Sequence, residues 1–127
     1  IRFPTTEIRV FKSRGSTGVR GIRLAPGDRV VSMAIVRHFE ADPAERSAFL
    51  RMRRAQEGAL DDAPEADEDE APEAGDLPLD RFAIMSEAED LILTITAGGA
   101  GKLSSSHDYP VRGRGGIGVR AMDAAMR

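Results

Sequence analysis

The sequence RGRGGIGVRAM occupies residues 112–122, and the related sequence KSRGSTGVRGI occupies residues 12–22. With an offset of 100 positions, the two stretches share arginine at 14 and 114, glycine at 15 and 115, glycine at 18 and 118, valine at 19 and 119, and arginine at 20 and 120. A recurring stretch of this kind indicates a repeat architecture. We interpret each copy as a basic loop that leads into a β-strand and faces a polyanion.

The spacing of the two copies predicts an all-β fold built from propeller-like blades. An insertion of about 45 residues, subtracted from the offset, leaves a repeat of about 50 residues, which fits one four-stranded blade. We therefore expect part of one blade over residues 1–39, a helix with an acidic and flexible insertion over residues 40–79, and a further blade over residues 80–127.

Short apolar runs in the blade regions predict antiparallel strands. They cover residues 1–3, 8–11, 19–24, 29–36, 82–85, 91–96, 101–105 and 119–122. Residues 29–36 are rich in valine and isoleucine, which predicts a largely buried strand. The glycine pair in residues 97–100 predicts a tight turn between two strands.

The insertion contains a strong signal for the start of a helix. Asp42 can cap the helix, Pro43 suits its first position, and Glu45 stands three residues after the cap. We expect a helix of about four turns over residues 44–59, because good helix formers dominate that stretch. Its expected docking residues are Phe49, Leu50, Met52 and Leu60.

Charge is distributed unevenly along the chain. Residues 60–80 contain ten carboxylates and no basic residue, whereas the rest of the chain has 18 basic and 11 acidic residues, a formal charge of +7. The acidic run has little to bury, which predicts disorder. It lacks the spacing and glycine of a calcium-binding loop, and we interpret it as a solvated linker. The body of the chain is therefore predicted to be basic.

Several function classes are excluded or made improbable by the sequence. Cysteine is absent, so disulfides and cysteine-based metal sites are excluded. No apolar run approaches the roughly 20 residues needed to span a bilayer, and we expect a cytoplasmic protein with no membrane partner. The chain begins at Ile1, within a strand-like run, and we expect it to be a piece of a longer protein.

Short motifs that resemble enzyme signatures do not meet their structural requirements. Residues 113–118 satisfy G-x-G-x-x-G, but only nine residues follow, too few for the helix and βαβ unit of a dinucleotide site. Gly101 and Lys102 lack the upstream glycine and following hydroxyl of a phosphate loop. Tyr109 follows His107 and Asp108, but residues side by side on a strand point to opposite faces, so an activated tyrosine nucleophile is not favoured. Tyr109 is expected to pack on a blade. His38 and His107 have no second ligand at metal-binding spacing.

The basic loops favour binding to the backbone of duplex DNA. Glycine-rich turns let the main chain approach a phosphate closely, and arginine makes forked contacts to phosphate oxygens. No recognition-helix pattern is present, and aromatic residues are few, which argues against base readout and single-strand stacking.

Several motifs, in this order, resemble the C-terminal domain of the DNA gyrase A subunit, over about 80 of the 127 residues. They are GVRGIRL at 18–24, GDRVVSM at 27–33, LILTIT at 91–96, GK at 101–102 with the following serines, DY at 108–109, and GRGGIG at 113–118. The topoisomerase IV A subunit has related blades. Three residues depart from the family pattern: Ala100 replaces an aromatic residue, Leu103 an arginine, and Ile117 a lysine.

The resemblance implies a β-pinwheel, in which propeller-like blades of antiparallel strands wrap duplex DNA around a basic rim. It implies a DNA-binding role in negative supercoiling, with partners duplex DNA and the gyrase B subunit in a holoenzyme of two A and two B subunits. DNA cleavage and ATP hydrolysis, with ATP and Mg²⁺, belong to other parts of that type II topoisomerase. The chain alone is therefore expected to have no catalytic residue, cofactor or metal.

Two hypotheses follow from the residues and the resemblance. In the first, basic side chains contact phosphates without sequence preference: Lys12, Arg14, Arg20, Lys102, Arg112, Arg114 and Arg120. In the second, the insertion is a protein-interaction module, whose helix presents a basic face of Arg46, Arg51, Arg53 and Arg54 to another gyrase domain or a regulator. An extension of the first hypothesis has the acidic run compete with DNA for the basic surface.

Overall fold

The computed structural model describes residues 1–58 and 75–123. Most of the acidic run, with Leu60, lies outside the described residues. The chain forms two compact units. We call Ile1–Ala34 with Tyr109–Arg120 the basic unit, and Ile35–Asp108 with Ala121–Arg127 the helical unit. The predicted domain boundaries at residues 39 and 79 stay a prediction.

The helical unit contains two α-helices, α1 (Pro43–Glu57) and α2 (Leu79–Glu87). The predicted start of α1 is confirmed: the backbone N–H of Glu45 donates to the Asp42 carboxylate, and the backbone N–H of Asp42 donates to the Glu45 carboxylate. This reciprocal pair satisfies two of the N–H groups that a helix start leaves without partners.

The two helices pack through aromatic rings. Phe49 of α1 is fully buried, with its ring centroid 5.0 Å from that of Phe82 in α2. It lies at the same distance from the ring of His107, in an edge-on arrangement. At the edge of this cluster, Arg81 donates to Glu45 at 2.8 Å and lies over the ring of Phe39. Burial of Phe49 confirms one predicted docking residue.

The helical unit also contains one antiparallel β-hairpin, β1 (Leu91–Ile95) and β2 (Gly101–Ser105), with Leu93 opposite Leu103. The predicted turn between the strands is confirmed, since the N–H of Thr96 donates to the carbonyl of Ala100 at 2.8 Å. A 3₁₀ turn, Ser106–Asp108, follows β2. The ring of His107, in this turn, lies with its Nε2 2.9 Å from the carbonyl oxygen of Met85, which joins the hairpin to α2.

Arg37 ties the chain before the helices to the chain after them. Its backbone N–H and its Nε both donate to the carboxylate of Asp90, at 2.7 and 3.2 Å. Its two terminal nitrogens donate to the carbonyls of Glu87 and Glu89, at 2.8 and 2.7 Å. The backbone and side chain of Arg37 therefore hold the two ends of the helical segment together.

The basic unit is built from turns and extended chain. Its described elements are a 3₁₀ turn, Thr5–Glu7, and an isolated parallel bridge between Arg2 and Val111. The strands predicted at residues 1–3, 8–11, 19–24 and 119–122 are not formed in the described chain. These segments carry arginines at short intervals. Among the described residues, none of them is hydrogen-bonded along its length to a second extended segment, which a β-sheet requires.

Two further strand predictions are wrong. Residues 82–85 belong to α2, because Phe82 and Met85 stand three positions apart on one helical face, and four residues cannot distinguish a period of 2 from 3.6. Residues 29–36 are not a buried strand: Val31 is 90% exposed and Met33 is 85% exposed. The described residues form two α-helices and one two-stranded sheet, so the predicted all-β blades are not confirmed in detail.

Candidate nucleic-acid interface

The basic unit concentrates positive charge. Its sequence has ten arginine and lysine residues and two carboxylates, Glu7 and Asp28, for a formal charge of +8. The remaining residues, which form the helical unit, have eight basic and 19 acidic residues, for a charge of −11. Two carboxylates cannot neutralise ten bases, so the basic unit presents a strong positive field to a polyanion.

The two copies of the repeat meet in the basic unit. The N–H of Gly115 donates to the carbonyl of Gly21 at 2.7 Å, and the N–H of Arg23 donates to the carbonyl of Gly116 at 2.8 Å. The guanidinium of Arg114 donates to the carbonyl of Arg20 at 3.2 Å. The spacing predicted one copy for each blade, whereas the structure places both loops in one compact unit.

Glycine is required where the second loop comes close to other chain. Gly118 has φ +77°, and a Cβ built there would lie 2.8 Å from the backbone nitrogen of Ile1. Gly115, with φ +83°, forms the turn that places the Arg114 peptide beside Arg20 and Gly21, which follow the first loop. A side chain at Gly118 would be opposed both by its backbone conformation and by the neighbouring chain.

Six of the seven predicted DNA-binding residues belong to the basic unit. All six are exposed: Lys12, Arg14, Arg20, Arg112, Arg114 and Arg120. The seventh, Lys102, is half-buried in β2 of the helical unit, opposite Thr94 in the sheet. The structure therefore brings six of these side chains into one unit and leaves Lys102 outside it.

Main-chain N–H groups of the second loop already donate hydrogen bonds within the protein. The N–H of Arg112 donates to the carbonyl of Arg2 at 3.0 Å, and the N–H of Arg114 donates to the carboxylate of Glu7 at 2.8 Å. The N–H of Gly115 is bonded to Gly21. These three amides are not available to a phosphate in this conformation. The predicted contact between backbone and phosphate is therefore not possible here, and the exposed arginine side chains are the groups that can contact phosphate.

Sequence reasoning missed other basic residues of the same unit. Arg9, Arg23 and Arg29 are exposed there as well. Arg9 lies over the ring of Phe11, with its guanidinium carbon 4.8 Å from the ring centroid. The sequence pattern places all three on strands, and the repeat points only to residues of the loops. Their signal was the sparseness of acidic residues over residues 1–34.

The arginines of α1 are engaged within the helical unit. Arg53 donates to Glu89 at 2.6 Å and pairs with Glu57 at 3.0 Å. Arg51 pairs with Asp76 at 3.1 Å, and Arg54 lies 4.0 Å from a carboxylate oxygen of Asp108. The basic face expected of the interaction-module hypothesis is thus largely neutralised by neighbouring carboxylates.

The histidines and the tyrosine do not assemble a second candidate site in the described chain. Among residues 1–58 and 75–123, no group of three or more histidine, aspartate and glutamate side chains is arranged to hold a metal ion. His107 is buried between the rings of Phe39 and Phe49. Tyr109 is half-buried, and its carbonyl accepts from Arg2 at 3.5 Å. Within the same ranges, no helix has both the length and the apolar character to cross a membrane.

Comparison with known proteins gives a consistent result. A family model described as the DNA gyrase C-terminal domain, beta-propeller, matches residues 1–37 and 90–125. The DNA gyrase A subunit of Granulibacter bethesdensis is 44% identical over 138 residues, covering all of this chain and 15% of that protein. The DNA gyrase A subunit of Rickettsia bellii is 41% identical over 124 residues, covering 97% of this chain and 13% of that protein.

A more distant relative, the DNA gyrase A subunit of a Nocardioides species, is 29% identical over 112 residues, which cover 88% of this chain and 10% of that protein. The chain thus spans 15% or less of the length of these three relatives. No solved structure matches the chain.

Proposed function

This chain belongs to the family of DNA gyrase C-terminal domains, described as β-propellers, and from that premise we propose that its basic unit binds the backbone of duplex DNA without reading base sequence. One observation carries the proposal. Ten basic side chains and two carboxylates share one compact unit, and six of the seven residues predicted to bind phosphate are exposed in it.

The proposed binding uses side chains on a frame of hydrogen-bonded backbone. The second loop is bonded to the segment that directly follows the first loop, through the Gly115–Gly21 and Arg23–Gly116 bonds, so arginines of both repeat copies lie on one hydrogen-bonded frame. One guanidinium group can donate two parallel hydrogen bonds to two phosphate oxygens. Its positive charge also releases counterions that are condensed on the DNA. The described part of the basic unit has no α-helix to enter a groove, so contacts to the sugar–phosphate backbone are favoured over base readout.

We further propose that the chain acts as part of a gyrase A subunit. In that setting it would guide duplex DNA around a basic rim and support ATP-dependent negative supercoiling. The gyrase B subunit would be the protein partner, with ATP, Mg²⁺ and the DNA-cleaving residues located elsewhere in the holoenzyme. The names of the relatives support this assignment.

The finer β-pinwheel architecture is also a proposal. The hairpin leaves large apolar side chains exposed: Leu91, Leu93, Ile95 and Leu103. Val30, Val31, Met33 and Ile35 are likewise exposed in the described chain. Apolar surface of this extent is typical of an interface rather than of a free surface. It supports an arrangement in which further blades cover these segments.

The test is DNA affinity as a function of salt, measured by fluorescence anisotropy with a labelled duplex of mixed sequence. If about five phosphates are neutralised, the logarithm of the binding constant falls against the logarithm of salt concentration with a slope of about −4 to −5. A second duplex of unrelated sequence is expected to bind equally well. A slope near zero would contradict backbone binding.

A matched pair of variants locates the surface. Arg14→Ala with Arg120→Ala removes two charges from the basic unit, and we expect the salt slope to become shallower by about 2. Arg51→Ala with Arg54→Ala removes two charges from α1, and we expect no change in the slope. If both pairs change the slope equally, the binding surface is not confined to the basic unit.

A further inference from the structure

Glu7 is one of only two carboxylates in the sequence of the basic unit. It ends the 3₁₀ turn Thr5–Glu7, whose bond from the Glu7 N–H to the carbonyl of Pro4 fixes the start of the side chain. From there its Oε2 accepts from the backbone N–H of Arg114 at 2.8 Å, across 107 positions of sequence. A negative charge is therefore placed on the turn of the second basic loop.

The bond from Arg114 differs in kind from its neighbours. The N–H groups of Arg112 and Gly115 donate to main-chain carbonyls, which cannot leave unless the chain moves. The acceptor for Arg114 is an exposed side chain, which can leave by rotating about its own single bonds. Of these three amides, only that of Arg114 can be vacated without moving the backbone.

The position occupied by the Glu7 carboxylate suits a phosphate oxygen. It lies at a main-chain N–H in a glycine-rich turn, and such N–H groups readily donate to anions. The guanidinium of the same residue donates to the carbonyl of Arg20 at 3.2 Å, so the donor exchanged at this position is the main-chain N–H, beside a positive charge held on the same loop. A carboxylate and a phosphate oxygen compete for donors of this type.

We propose that Glu7 is an exchangeable internal anion, which occupies the Arg114 amide in the free protein and is replaced there by a phosphate oxygen of bound DNA. The inference rests on the proposed function, and it assigns to Glu7 a role that opposes binding. Glu7 thus sets the affinity of the second loop, and Arg114 contributes both its side chain and its main chain to the complex.

The experiment compares three variants of the full 127-residue chain with the wild type, using the same duplex and salt series. Glu7→Gln keeps an acceptor oxygen for Arg114 and removes the charge, and Glu7→Ala removes both. We expect each to raise DNA affinity about threefold to tenfold at low salt, since one opposing charge is removed from a phosphate position. The gain is expected to shrink as salt increases.

Asp28→Asn is the third variant and the matched control. Asp28 is the other carboxylate of the basic unit, and it accepts from the N–H of Ala25 at 3.3 Å within its own turn. The substitution changes net charge by the same amount without touching the Arg114 amide. We expect it to raise affinity by less than about twofold. Equal gains from Asp28→Asn and Glu7→Gln would overturn the inference, because only net charge would then matter.

The direction of the effect separates exchange from simple positioning. If Glu7 merely holds the loop in place, Glu7→Ala lowers affinity and Glu7→Gln leaves it unchanged, which overturns the inference. In ¹⁵N NMR spectra, addition of the duplex is expected to move the Arg114 amide signal more than that of Gly115; equal or absent movement would also overturn it. If the folded wild type does not bind DNA at all, the proposed function itself fails.

Discussion

The basic unit and the helical unit achieve order by different means. The helical unit contains every buried hydrophobic residue found among residues 1–58 and 75–123, namely Ala48, Phe49 and Met85. Its Arg51, Arg53 and Arg81 pair with carboxylates. The basic unit has no buried side chain in that described chain and is ordered by backbone hydrogen bonds between distant segments. Because the basic unit keeps its positive side chains exposed to a polyanion, it lacks the burial of apolar side chains that usually stabilises a fold.

The largest expected effect tests the core of the helical unit. Phe49→Ala removes a fully buried ring that contacts Phe82 and His107, and we expect a loss of about 3–5 kcal/mol in the free energy of unfolding. Chemical denaturation monitored by circular dichroism measures it, since α1 and α2 supply the helical signal. Leu93→Ala, at a side chain that is 62% exposed, is the control, and we expect it to cost under about 1 kcal/mol. Equal losses of unfolding free energy in the two variants would show that Phe49 is no more important to stability than the exposed Leu93.

The next effect tests the order of the basic unit. Gly118→Ala combines a positive φ with a Cβ contact of 2.8 Å to the Ile1 backbone, and we expect it to destabilise that unit by about 3 kcal/mol. Gly27→Ala has a similar φ of +87° but open space around its Cβ, and we expect a cost of about 1–2 kcal/mol. Hydrogen exchange of the amides in residues 112–118 reports the loss. Equal protection in the two variants would show that the close approach to Ile1 does not matter.

A smaller effect compares one candidate residue from each unit. Arg112→Ala removes an exposed charge from the basic unit, and we expect DNA affinity to fall severalfold and the salt slope to become shallower by about 0.9. Lys102→Ala, at a half-buried position in β2, is expected to change both quantities by much less. Anisotropy titrations with the same duplex measure the difference. An equal loss from Lys102→Ala would extend the DNA path onto the helical unit.

The smallest effect concerns pH. The hydrogen bond from Arg81 holds the pKa of the Glu45 carboxyl below its ordinary value. A carboxyl with a lowered pKa in the folded state adds stability above its unfolded pKa, and this is lost as pH falls through the folded pKa, so the effect appears below about pH 4. We expect Glu45→Gln to lower the thermal midpoint at about pH 7 and to differ less from wild type at about pH 3.

The control for the pH effect is Glu57→Gln. Glu57 lies at the other end of α1 and has an exposed ion pair with Arg53. We expect its substitution to change the midpoint only slightly, because exposed pairs of this kind contribute a few tenths of a kcal/mol. A difference between wild type and Glu45→Gln that stays constant from about pH 3 to about pH 7 would show that the Arg81 bond does not depend on the Glu45 charge.

Features that depend on a few neighbouring residues could be predicted from the sequence. Asp42, Pro43 and Glu45 define the start of α1 through bonds that span three residues. The hairpin of β1 and β2 follows from a glycine-containing turn between two β-rich runs. The repeat identified six of the exposed basic residues, because matched arginines in glycine-rich loops are improbable as ordinary surface charge.

Features that depend on distant partners could not be predicted. Residues 29–36 have the composition of a buried strand, but burial requires a second surface, and composition does not say whether one is present. Residues 82–85 fit the period of a strand locally, and the partner that favours a helix there, Phe49, lies far earlier in the chain. The contacts of the second loop with residues 20–23 and the bond from the Arg114 N–H to Glu7 join residues about 100 positions apart, which no local pattern encodes.

The link between Arg37 and Asp90 has an evolutionary consequence. The family model matches the chain up to residue 37 and again from residue 90, so these two residues are the ends of the matched segments. Since the backbone nitrogen of Arg37 lies 2.7 Å from the Asp90 carboxylate, the whole intervening segment leaves and re-enters at one place. A segment joined in this way can be gained, lost or exchanged between lineages without rethreading the chain around it. The inner ends of the two matched segments are therefore adjacent at Arg37 and Asp90, and both helices lie between them in the sequence.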